Sequence, residues 1–169
     1  MGITGRIQKT YQMDLVMTYT LAFIVMLFNL FSLGPSILWK IIFVAILSLD
    51  IGGGVVSNFT RGTISYYSES KLSPHAFIWF HSLQSIVLTC VYWDFSVQIA
   101  IASFMMMTFS SIVINLYQTS FQRQMSIFLF AVLVMAISYS GLPLPSFILL
   151  LFMGFKMVVG FAGHWKYRC

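Results

Sequence analysis

The sequence predicts an all-α integral membrane protein, a single domain over residues 1–169 built as a bundle of about six transmembrane helices with both termini in the cytoplasm. Three observations carry this prediction. Only 8% of the 169 residues are charged and 59% are hydrophobic, giving a mean hydropathy of +0.91. A soluble domain carries roughly 25% charged residues, so this chain has too few to cover a water-facing surface. Residues 15–39, 72–93, 95–122 and 124–155 contain no Asp, Glu, Lys or Arg, and a helix of about 20 apolar residues at 1.5 Å rise crosses the hydrocarbon core. Finally, Arg6, Lys9, Arg61, Lys71, Arg123, Lys166 and Arg168 all fall on one side of a six-span arrangement, against Lys40 alone on the other. That bias puts the basic side in the cytoplasm and points to the cell membrane as the host bilayer.

The first span is expected at residues 13–33, ended by Leu33, Gly34 and Pro35. The second starts near Pro35, whose fixed φ suits a first helical turn, and runs to 56. A cytoplasmic loop occupies 57–74. The third span is 75–93, after Pro74, and the fourth 96–117, after a short turn at Asp94. The fifth, 124–140, stops at Gly141–Pro145, where two prolines break the helix, and the sixth is 146–163. Trp39, Tyr92 and Trp93 then lie at the outer interface, with Tyr11, Tyr66, Tyr67, Tyr117, Trp165 and Tyr167 at the inner one. The Asn-Phe-Thr at Asn58, Phe59 and Thr60 matches a glycosylation acceptor but falls on the cytoplasmic side.

Ionisable side chains within such spans are costly and mark candidate sites. Asp50, His81 and Lys156 each lie about six residues from the inner end of their helix, at a common depth of roughly 9 Å. Asp14 is shallower, at the start of the first helix. The candidate polar site is therefore Asp50 and His81 with Asp14 and Lys156, Asn58 and Arg61 near its mouth, and Asn115 on a polar stripe of the fourth helix. For Lys156 two arrangements are open: pairing with Asp50 or Asp14, or snorkelling to the interface. The stripes Asp14, Thr18, Ala22, Asn29 and His81, Gln84, Ser85, Thr89 follow helical spacing towards a common interior, as does Thr108, Ser111, Asn115, Gln118. Such hydroxyls and amides also hold helices together without any further role. Gly52, Gly53 and Gly54 directly follow Asp50 and either loosen the second helix or permit close backbone approach.

Several chemistries find no support in the sequence. His75 and His81 are six apart and face different ways, and no HExxH or CxxC occurs, so no metal or other cofactor is expected. The acidic residues Asp14, Asp50, Glu69 and Asp94 form no pair of the magnesium-binding type. Cys90 and Cys169 are too few for a disulfide framework, and the dispersed net charge of +5 does not make a nucleic-acid patch. Met105, Met106 and Met107 splay around a helix and read as packing or lipid-facing residues. The expected function is solute or proton handling through the polar site in the inner half of the bundle. The alternatives are an enzyme acting on a lipid or prenyl substrate, with Asp50 and His81 as acid and base, and a structural or accessory subunit. The expected partners are membrane lipids and a second copy or another membrane subunit.

Overall fold

A computed structural model describes residues 3–69, 73–92, 96–116 and 119–165. The elements in order are α1 (Ile3–Leu33), α2 (Leu38–Ser57), α3 (Arg61–Glu69), α4 (Pro74–Tyr92), α5 (Val97–Asn115), α6 (Thr119–Ser138) and α7 (Leu144–Gly154), the last continuing into a π-helical turn (Phe155–Phe161) and a 3₁₀ turn (Ala162–His164). No strand occurs among the described residues. Five segments are long and apolar enough to cross a membrane: Tyr11–Leu33, Leu38–Ser57, Val97–Asn115, Ser120–Ser138 and Leu144–His164. The chain is an all-α integral membrane protein. α4 matches α5 in length but is less apolar, because His75, His81, Gln84 and its serines dilute Ile78, Ile86 and Val87.

The bundle is organised around the last span. Of its most apolar window 61% is buried, against 17% for the first span, so α7 is central and α1 peripheral. Met153, Met157, Val158 and Phe161 from this central segment meet Ile51 of α2, Met106 and Val113 of α5 and Leu133 of α6 in one core. The methionines Met106, Met153 and Met157 are core side chains, the adaptable gap-fillers expected where helices cross irregularly. α1 lies along α2, while α4, α5 and α6 pack in sequence. Polar ties hold this second group: Ser85 and Ser103 share a 2.6 Å hydrogen bond between α4 and α5, and Gln122 Nε2 donates to Val113 O at 3.0 Å.

The element boundaries depart from expectation in five places. α1 begins at Ile3, ten residues before its apolar part, because its polar first turns continue the same helix. Pro35 is not in the first turn of α2. Gly34 at φ +65° and Pro35 make the bend, and α2 starts at Leu38 after an extended Ile37. Pro145, expected to break a helix, sits inside the first turn of α7, where its missing N–H costs nothing. The loop 57–74 contains a helix, α3, started by Thr60: the Thr63 N–H donates to Thr60 Oγ1 at 3.4 Å. Helix α6 also begins earlier than 124, at Thr119, which allows Gln122 to reach back to α5. Lys71, Trp93, Asp94, Tyr117, Gln118, Lys166, Tyr167 and Arg168 lie outside the described residues.

Candidate functional site: an ion pair on the wall of an open cavity

Asp50 and Lys156 are brought together by α2 and the π-helical turn. Lys156 Nζ donates to Asp50 Oδ2 at 2.7 Å and to the Asp50 backbone carbonyl at 3.2 Å. Lys156 therefore pairs rather than snorkels. The two charges differ in exposure: the lysine side chain is 3% exposed and the aspartate 43%. One of the three glycines explains how the lysine reaches its partner. α2 runs unbroken through Gly52–Gly54, so these residues do not loosen the helix. A Cβ on Gly54 would fall on the Lys156 stem, within 2.5 Å of its Cδ, so the stem crosses α2 where no side chain stands. A Cβ on Gly52 would lie 2.9 Å from Ala22 Cα and 3.0 Å from Leu21 O, so that glycine sets the close approach of α1. Gly53 faces the cavity beside Thr18 and Ala22.

Asn58, at the C-terminal cap of α2, fixes the other end. Its Nδ2 donates to Lys156 O at 3.1 Å, and a Cβ on Gly160 would lie 3.0 Å from the Asn58 Cβ, so the absence of a side chain there makes room for Asn58. A single side chain thus clamps the turn that carries the lysine; π-helical turns often mark functional positions. Replacing Asn58 with Ala is expected to lower the unfolding free energy by about 1 kcal/mol, the net worth of one such bond. Asn58→Asp should cost more, since its carboxylate would face the Lys156 carbonyl. Unfolding by SDS titration in mixed micelles checks both values.

His81 completes the group from α4. Its Nδ1 hydrogen donates to Phe77 O at 2.9 Å, which leaves Nε2 of the neutral ring as a bare acceptor. Nε2 is 3.8 Å from Asp50 Oδ2, beyond direct hydrogen bonding and close enough to share a bridging donor. Aromatic rings continue from there: Phe77 to His81 at 4.0 Å, Tyr67 to Phe77 at 5.2 Å and Tyr66 to Tyr67 at 5.5 Å between centroids. Tyr67 and Phe77 also pack on Phe161, and so dock α3 and α4 onto the π-helical turn. Burial, and then the Asp50 carboxylate, push the Tyr67 phenol above its ordinary pKa, so it remains protonated.

These groups wall a cavity of about 820 Å³ between α1, α2, α3 and α4. Among the described residues α1 and α4 make no substantial contact, and Tyr19 of α1 and Phe80 of α4, both exposed, line the cavity. A second cavity of about 230 Å³, holding Asp14 and Thr60, adjoins it through Thr18, Ser57, Gly62 and Thr63. Four of the candidate residues, Asp50, His81, Lys156 and Asn58, thus converge on one cavity, and Asp14 lies in its neighbour. Arg61 is exposed at the start of α3 and Asn115 at the end of α5, and neither lines either space. Tyr66, Tyr67 and Thr63 form part of the wall although their segment reads as an ordinary polar loop. The sign of α3 in the sequence is Thr60, a helix-capping residue placed ahead of aromatic positions. Among the described residues no cluster of three or more His, Cys, Asp or Glu is arranged to hold a metal. No protein-family profile, curated protein or solved structure matches this chain.

Proposed function

We propose that this protein handles a solute in the manner of a transporter, binding it against Asp50, Lys156 and His81 and carrying it, or a proton with it, across the bilayer. The observation that supports this best is a charged pair inside a hydrophobic bundle that faces an open cavity instead of being sealed in the core. Buried ionisable groups are expensive in lipid, and packing helices together does not require them. In this reading α4 is the sixth span, both termini and α3 are cytoplasmic, and the host is the cell membrane. The adjoining space at Asp14 is then the approach from the cytoplasm, and Asp50 with His81 forms the inner station. An imidazole can take up and release a proton, which suits a proton-linked step.

Proteoliposomes incubated with a defined mixture of polar and amphiphilic metabolites, with the lumen analysed by mass spectrometry, test the proposal. At least one solute should accumulate above protein-free vesicles, and its uptake should fall tenfold or more in Asp50→Asn and in His81→Ala. Equal contents in all vesicles would sink it. The lack of substantial contact between α1 and α4, with exposed Tyr19 and Phe80 on those walls, favours a second reading, an enzyme acting on a lipid that enters from the bilayer with Asp50 and His81 as acid and base. A chemically altered lipid recovered from the same vesicles would support that reading instead.

A further inference from the structure

We infer that the cavity takes an organic ammonium group, an inference that rests on its being a ligand site and names the ligand class. Among the described residues, the ionisable groups left over at its wall are acceptors. Asp50 Oδ1 makes no bond among the described residues, and the side chain is 43% exposed. His81 offers its bare Nε2 beside that carboxylate, 3.8 Å from Asp50 Oδ2. Among the described residues lining the cavity the one cation, Lys156, is spent: it is held under Gly54 with its ammonium on Asp50 Oδ2 and the Asp50 carbonyl. An incoming anion would meet the exposed carboxylate first and be repelled.

The walls favour the same class. Tyr19, Tyr66, Tyr67, Phe77 and Phe80 line the space, with Tyr19, Tyr66 and Phe80 exposed on it. Ring faces attract cations, most strongly where water is partly excluded. A carboxylate oxygen with no bond, in a cavity lined by aromatic rings, matches an N–H-bearing cation with an apolar body. At about 820 Å³ the cavity has room for that body beside the ring wall. The same ammonium could belong to a free amine or to an ethanolamine headgroup from the bilayer.

The probe is radiolabelled 2-phenylethylamine, with protein held in nanodiscs of phosphatidylglycerol and empty discs as background. Saturable binding is expected, displaced at least tenfold better by unlabelled amine than by 2-phenylethanol or 3-phenylpropionate. Asp50→Asn should weaken it tenfold or more. Because that variant also loses stability, Tyr66→Leu and Phe80→Leu, both at exposed rings, provide an independent arm and should each weaken binding about threefold. If phosphatidylethanolamine in the discs displaces the probe, the ammonium comes from a headgroup; undiminished binding assigns it to a free amine. Equal displacement by the alcohol or the acid would overturn the inference, as would binding unchanged in Asp50→Asn and in both ring variants. Binding without uptake would remove the transport reading alone. Uptake of a solute without amine binding would remove the ammonium class alone.

Discussion

Asp50→Asn should lower the unfolding free energy by about 3 kcal/mol, Lys156→Met by only about 1.5 kcal/mol, and the double variant by less than either. The asymmetry follows from exposure. Removing the carboxylate strands an ammonium that is 3% exposed, whereas removing the ammonium leaves a carboxylate that is 43% exposed and can be hydrated from the cavity. The Asn value lies at the low end for a stranded buried charge because the carboxamide oxygen still accepts one lysine N–H. Met in place of Lys156 fills the channel over Gly54 with an uncharged stem of similar reach. With both changes no charge is stranded, and buried ion pairs replaced as a unit by apolar or neutral residues are often nearly neutral in stability. SDS titration of the four proteins in mixed micelles gives the cycle. Equal losses from the two single variants, or losses that simply add in the double, would show that Lys156 is not held as described.

The three glycines should respond very unequally to alanine, though they are adjacent and identical in sequence. Gly52→Ala should cost about 2–3 kcal/mol, because the new methyl meets backbone atoms of α1, Ala22 Cα at 2.9 Å and Leu21 O at 3.0 Å. Backbone cannot swing aside, so α1 must part from α2. Gly54→Ala meets the Lys156 stem instead, which can bend but is anchored at its ammonium. About 1–2 kcal/mol is expected there, with the larger effect on ligand binding, since the lysine is drawn off Asp50. Gly53→Ala makes only ordinary contacts at 3.6 Å with Ala22 and Thr18 and should gain up to about 1 kcal/mol from helix propensity. Comparable losses at all three positions would contradict this division of roles.

How much of this was legible beforehand differs by level. The all-α membrane fold follows from charge poverty and long apolar runs, properties summed over many residues and insensitive to any one of them. The shared depth of Asp50, His81 and Lys156 was readable from helix positions, but depth does not say which way side chains point. The pairing of Lys156 with Asp50 needed Gly54, and nothing in a run of three glycines tells which one lies under the lysine. The π-helical turn at Phe155–Phe161 shifts the facing of every residue in it, so a regular helical wheel misplaces Lys156. α3 was hidden because a nine-residue helix with few apolar positions reads as loop, and its tyrosines read as interface anchors. Arg61 and Asn115 illustrate the converse: a polar residue in a promising stretch can sit at a helix end facing outward.

The central claim is that the Asp50–Lys156 pair serves the cavity rather than merely holding helices together. The double variant Asp50→Asn/Lys156→Met separates the two roles, because it removes the charges while leaving none stranded. Measured in proteoliposomes beside the wild type, it should fold with near-wild-type stability yet take up no more solute than protein-free vesicles. A double variant that folds equally well and transports at the wild-type rate would contradict the claim.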